Sequence, residues 1–279
     1  MSLNICSLNS GSNGNCYYIG NQNEAVLIDA GISCAETEKR MNRLGLSMKS
    51  VKAIFISHEH VDHISGLPVL SRKYKLPVYI TGSTLKNSRM KIEKELINFL
   101  QTEKPVAIGQ LSITAFRKSH DASDPHSFII SGSNVNIGVF TDIGYPGKEL
   151  IRFFKQCNAI FLEANYCEEM LESGSYPRYL KKRISGRKGH LSNDQALELF
   201  KKHKGPQLTH LILSHLSENN NDPELVKKLF KPYDQEIRII IASRFEETEL
   251  YSILPQPGLK KRKTVRRPEP NREQLSLFD

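Results

Sequence analysis

Short apolar runs broken by Gly, Asn, Asp or Pro recur along the chain as far as residue 254. Runs of roughly four to eight apolar residues between turn formers read as strands. They predict strands in NCYYIG (15–20), EAVLIDAG (24–31), VKAIFISH (51–58), PVYIT (77–81), LSITAFRKS (111–119), HSFIISG (126–132), VNIGVFTD (135–142), AIFLEAN (159–165), THLILSH (209–215) and IRIIIA (237–242). Helical spacing fills gaps between them, at 34–46, 64–74, 88–101, 147–156, 192–203 and 222–233. In the fifth of these helices Ser192 is placed as N-cap, with Gln195 three residues on as its capping-box partner. Many strands with interspersed helices and no repeat predict a mixed α/β sandwich. One domain is expected over residues 1–254, followed by a basic linker and tail over 255–279, where the apolar periodicity stops.

Composition alters this picture at two places. The formal net charge of +9 suggests an anionic partner, and most of the excess is local. YPRYLKKRISGRKGH (176–190) holds six Lys/Arg and no acid, and LKKRKTVRRPEPNR (259–272) holds seven against one Glu. The five cysteines form no CxxC pair and fit free thiols in a reducing, cytoplasmic setting. If a metal binds, His and Asp must carry it. No apolar run reaches the length of a membrane span, and the first residues show no secretory pattern, so no membrane association is expected.

The densest chemistry is SHEHVDH, directly after the strand VKAIFI. His58 and His60 share one side of an extended stretch, and Asp62 and His63 follow on the turn. Imidazole and carboxylate are ligands that zinc and other borderline divalent ions accept. A solvent-exposed His-rich turn is the plainer alternative. Candidate partners are His120, Asp142 and His215, each a polar residue just past an apolar run, where a sheet would present it at one rim. Any one of them alone would more often be structural.

Together these residues resemble the sequence motifs of the metallo-β-lactamase superfamily, with Asp29 of IDAG as the first, over residues 1 to about 250. SLNSGSNGNCYYI, TDIG, LEANY and GHLSN are similar to the YycJ (WalJ) branch of that superfamily. The resemblance implies an αββα sandwich with two divalent metal ions, zinc or manganese, at one edge of the sheets. His58, His60 and His120 would hold one ion, Asp62, His63 and His215 the other, and Asp142 would bridge them. Asp29 would orient the turn. Asp62 and His190 are the implied catalytic residues, since similar GH-[ST] motifs in RNase Z relatives supply a histidine that protonates a leaving oxygen. The activity implied is a metal-dependent phosphodiesterase or nuclease, with 5′-to-3′ exonuclease action on DNA in repair.

Three features favour a phosphodiester substrate. The loop NSGSNGN (9–15) can present backbone N–H groups with Ser10, Ser12 and Asn13 to phosphate, although an ordinary tight turn reads the same way. His190 lies beside a basic run and otherwise serves to hold its loop. Arg178, Lys182, Arg183, Arg187 and Lys188 can pair with successive phosphates or simply form a solvated face. Glu163 is either a carboxylate that orients a ligand histidine or a buried structural one. At the C-terminal end of the sequence, QLSLF resembles the pentapeptide with which bacterial polymerases dock on the replicative sliding clamp, which would make Gln274, Leu275, Leu277 and Phe278 partner-binding. Two other readings stand beside a DNA nuclease. One is a small-molecule, cyclic phosphodiesterase of the PhnP type. The other is a clamp-associated DNA-binding protein with a structural metal.

Overall fold

The computed structural model describes residues 2–256. The expected clamp-docking residues Gln274, Leu275, Leu277 and Phe278, and all of the basic tail past residue 256, lie outside them. Among the described residues, no helix is long and apolar enough to cross a membrane.

Two seven-stranded sheets pack face to face. The first is built from β1 (Leu3–Asn9), β2 (Cys16–Gly20), β3 (Ala25–Ile28), β4 (Val51–Phe55), β5 (Val78–Ile80) and β6 (Ile97–Phe99). The second holds β7 (Val106–Ile108), β8 (Leu111–Arg117), β9 (His126–Gly132), β10 (Val135–Phe140), β11 (Ala159–Glu163), β12 (His210–Ser214) and β13 (Arg238–Ile241). A last strand, β14 (Tyr251–Ile253), returns to the first sheet and pairs antiparallel with β1. The orders are β14-β1-β2-β3-β4-β5-β6 and β13-β12-β11-β10-β9-β8-β7. Both sheets follow one scheme. Pairings are antiparallel as far as a pivot strand, β3 or β10, and parallel beyond it.

Strands covered on both faces need continuous apolar runs, which explains the unbroken burial of AVLI and AIFLE. Their alternate side chains serve different layers. Ile28, Phe55, Phe128 and Phe161 meet between the sheets, with Tyr17 and Phe161 at 4.9 Å between ring centroids. On the outer face of the first sheet, Leu27, Ile54 and Ile56 pack against Met41, Leu67 and Leu70 of helices α1 (Cys34–Arg43) and α3 (Leu67–Tyr74). The short α2 (Val61–Ile64) precedes α3, and α4 (Gly82–Ser88) follows β5. On the second sheet, Ile160, Leu162 and Leu213 pack under α5 (Lys148–Phe154), α8 (Asn193–His203) and α9 (Pro223–Phe230). The result is the expected αββα sandwich. Two further helices, α6 (Glu168–Ser173) and α7 (Arg178–Ile184), project beyond β11, and α7 buries none of its residues.

One expected helix is not formed. Residues 88–101 end α4 at Arg89, whose φ of 55° is left-handed, and then run into β6. Ile97–Phe99 pairs parallel with Val78–Ile80, because completing the sheet edge satisfies backbone groups that a short exposed helix would leave to water.

Candidate metal centre

The turn after β4 is shaped from beneath by Asp29. Its Oδ1 accepts from the Ser57 backbone N–H at 2.8 Å, and its Oδ2 accepts from Ser57 Oγ at 2.8 Å and lies 2.7 Å from His63 Nδ1. The chain runs from His58 into α2 around this buried carboxylate, which sets His58, His60, Asp62 and His63 on one rim. The glycine-rich loop closes on the turn from the other side. The Asn15 N–H donates to the Asp62 carbonyl at 2.7 Å, and Asn15 Nδ2 donates to Asp62 Oδ2 at 3.1 Å. Gly31 makes this approach possible, since a Cβ there would stand 1.7 Å from the Asp62 carbonyl oxygen.

The strand ends of the second sheet supply the facing half. His120 follows β8, Asp142 follows β10 and His215 follows β12. Asp29, Asp142 and His215 all have positive φ, at 62°, 55° and 58°. Non-glycine residues hold such angles only where the surroundings impose them, and they gather at functional sites.

The side chains form overlapping groups whose ligand-type atoms lie within 4.8 Å of one another: His58, His60 and His120; Asp62, His63 and His215; His58, His63 and Asp142; and Asp142, Glu163, His190 and His215. Asp142 stands between the first two groups. Its oxygens are 3.3 Å from His63 Nε2, 3.4 Å from His215 Nδ1 and 3.7 Å from His120 Nε2.

Glu163, fully buried at the end of β11, ties the second-sheet loops together. It accepts from the backbone N–H groups of Asp142 at 3.1 Å, Ile143 at 2.7 Å and Leu191 at 3.0 Å. It also lies 2.8 Å from His190 Nδ1 and 2.9 Å from His215 Nδ1. Its contacts serve both readings open for Glu163: three bonds hold backbone and two meet site histidines.

The electrostatics point to a missing positive charge. Burial keeps His58 well below the usual imidazole range and lowers His120 to about 4, so both present neutral nitrogens. Burial opposes charge on His63 and His215 as well, but there the carboxylates win. Asp142, Asp62 and Asp29 hold His63 high, and Asp142, Asp62 and Glu163 raise His215 to about 10. Burial would raise Glu163, yet His190 and His215 hold it down near 2. Asp29, Asp62, Asp142 and Glu163 thus gather in a space where, among the described residues, Lys118, 3.7 Å from Asp142 Oδ2, is the one lysine or arginine paired with any of them. Among the described residues, Asp142 Oδ2 is buried and makes no well-formed hydrogen bond. Four carboxylates crowded together in a largely buried space are costly unless cations offset them, and imidazoles with carboxylates are a donor set that suits divalent metal ions. The residues fit such ions.

A cavity of ≈ 260 Å³ opens over these groups, lined by His60, Asp62, Asp142, His190 and His215, with Ser12 and Arg183 on its walls. The other sequence-selected residues are placed as follows. Ser10 is buried, its hydroxyl accepting from the His215 N–H at 2.8 Å and bonded to Tyr17. Asn13 donates to the Arg244 carbonyl at 2.9 Å and so holds its loop. Arg178, Lys182 and Lys188 are exposed outside the cavity, and the Arg187 guanidinium covers the Tyr145 ring at 4.4 Å. Sequence reasoning passed over Lys118 and Asp121, which flank His120. Asp121 pairs with Arg183 across the cavity mouth and lies 3.4 Å from His120 Nε2. Their adjacency to a candidate ligand was the one available signal.

Residues 24–215 match the family model described as "Beta-lactamase superfamily domain". The chain is 34% identical over 235 residues to a Bacillus anthracis protein named exodeoxyribonuclease YycJ, covering 81% of this chain and 87% of that one. It is 33% identical over 223 residues to a Streptococcus pneumoniae protein named exodeoxyribonuclease WalJ, covering 78% and 83%. Among solved structures, the metallo-β-lactamase fold protein YhfI of Bacillus subtilis superposes with a TM-score of 0.67 at 17% identity, over 90% of this chain and 99% of that one.

Proposed function

The chain belongs to the metallo-β-lactamase superfamily, alongside its YycJ and WalJ relatives, and from that premise we propose that it is a metal-dependent exodeoxyribonuclease of the cytoplasm. The observation that carries this reading is the pair of three-residue groups facing each other across Asp142 under one open cavity. His58, His60 and His120 would hold one divalent ion and Asp62, His63 and His215 a second, zinc or manganese, with Asp142 shared. Such ions, when bound, supply charge neutralisation at a phosphoryl group and a more acidic water.

The chain's own residues do the rest. Asn15 and Asp29 hold the turn that carries Asp62 and His63 in one rotamer and one register. Glu163 fixes the ring of His190 through Nδ1, so that the histidine lining the cavity can deliver a proton to the departing oxygen. Ser12 and Arg183, which line the cavity, would meet phosphate. Arg178, Lys182, Arg187 and Lys188 lie farther out and would attract the duplex without touching the scissile bond. We assign 5′-to-3′ polarity, a role in DNA repair, and docking of Gln274–Phe278 on the replicative sliding clamp to the same proposal.

Cleavage of 5′- and 3′-labelled duplexes beside bis-p-nitrophenyl phosphate tests it. Metal-reconstituted wild type should degrade DNA from the 5′ end, and Asp142→Ala should lose that activity. Truncation after Leu254 should keep it but lose clamp-dependent stimulation. Hydrolysis of the small ester with intact DNA would instead favour a small-molecule phosphodiesterase.

A further inference from the structure

The sequence motifs leave one large feature unused. A second cavity, of ≈ 880 Å³, lies between α9 and the loop that follows β13. Its floor is apolar, from Leu216, Ile239, Ile241 and Ala242, and Lys228 and Lys231 stand on its rim. It adjoins the metal centre, because Ser217 lines both cavities. Arg244, in the wall of the larger one, also donates from Nη2 to Ser12 Oγ, in the wall of the smaller one, at 2.9 Å.

At the end of this groove Phe245 is 76% exposed. Its backbone is fastened in place. The Phe245 carbonyl accepts from Nη2 of the buried Arg40 at 3.0 Å, and its N–H donates to Ser243 Oγ at 3.0 Å. The neighbouring Arg244 carbonyl accepts from Asn13 Nδ2, and the Ser243 carbonyl accepts from the Ser10 N–H at 3.1 Å. A loose loop would fold such a ring onto the apolar floor beside it. Here the loop is fastened on both sides and the ring is held out.

The charges around the groove do not cancel evenly. Glu218 is taken by Arg244 at 3.0 Å, Glu224 lies 3.8 Å from Lys227, and Asp234 accepts from the Ile239 N–H. Among the described residues, Lys228 and Lys231 have no carboxylate partner. An exposed aromatic ring beside unpaired cations is the combination that binds single-stranded nucleic acid, by stacking on the base and attraction to the phosphates.

We propose that this groove takes the unpaired stretch of the DNA strand next to the scissile bond. One base stacks on Phe245, and Lys228 and Lys231 meet the phosphates. The proposal rests on the nuclease reading and adds the path of the strand.

The test is fluorescence anisotropy with a labelled oligodeoxythymidylate of about twelve nucleotides in excess chelator, so that nothing is cut. Phe245→Ala should raise Kd about tenfold, Phe245→Leu should do the same, and Phe245→Trp should stay within about twofold of wild type. Lys228→Glu with Lys231→Glu should flatten the salt dependence of binding. In metal-loaded enzyme, Phe245→Ala should hydrolyse bis-p-nitrophenyl phosphate at the wild-type rate. Wild-type affinity in Phe245→Ala overturns the proposal. So does wild-type affinity in Phe245→Leu alone, which would mark a groove for an apolar partner. A wild type that cuts no DNA fails the nuclease reading, whereas one that cuts DNA while Phe245→Ala binds the oligonucleotide normally fails the groove alone.

Discussion

Glu163 shows how much one buried carboxylate organises. Three backbone N–H groups and two imidazoles converge on its two oxygens. A glutamine has one oxygen and an NH2 that meets these donors head-on. Glu163→Gln should therefore keep the fold but lower turnover about 10- to 100-fold, the usual cost of losing a group that orients ligands. Steady-state kinetics with metal content measured on the same sample checks this, and wild-type turnover would show that the contacts are structural only. The cysteines make the opposite case, of reactive groups silenced by position. Cys6, Cys16 and Cys157 are buried, and burial pushes their thiols far up; Cys34 is raised to about 11 by burial and by Glu38. Only the thiolate reacts. A disulfide reagent at mildly alkaline pH should modify the partly exposed Cys167 first and reach Cys6, Cys16 and Cys157 only after denaturation. Fast reaction of all of them in the native protein would contradict this burial.

At the scale of elements, α8 begins as its sequence predicts. Ser192 Oγ accepts from the Gln195 N–H, and the Gln195 side chain accepts from the Ser192 N–H. Because Ser192 Oγ also donates to Glu168 at 2.9 Å, Ser192→Ala should cost about 1 kcal/mol or somewhat more, read as a shifted midpoint in urea unfolding. Most central strands were legible because both faces are buried and the apolar run is unbroken, but β1 was missed because Asn4 and Ser7 interrupt its apolar run. The turn residues of the metal centre were legible because histidines crowd the end of such a run. Three of the four edge strands were missed, β13 being the exception. β6 and β7 have three residues each, too few to show a period, and residues 88–101 carry apolar positions that suit either a helix or a sheet edge. α7 buries nothing, so no apolar stripe announced it. For the same reason Ser10 and Asn13 read as phosphate ligands in sequence, whereas contacts from more than two hundred positions away, His215 and Arg244, engage them.

For the whole molecule, the arrangement of charge has a thermal consequence. With the carboxylates gathered under the cavity, ions bound there stabilise the folded state by mass action. Loading at about a hundredfold excess over Kd should raise Tm by roughly 5–10 °C, which a chelator should reverse. An unchanged Tm in a scanning calorimeter would mean the ions add nothing to the folded state. The two-sheet plan has a consequence in time as well. A ribosome delivers the first sheet's strands before the second's, and domains fold as their segments emerge. The first sheet presents His58, His60 and His63 early, but Asp142 and His215 belong to strands of the second, and β1 waits for β14, with Leu3 paired to Ile253. The centre is therefore complete only after both sheets have emerged, and a copy broken off before His215 lacks part of the donor set.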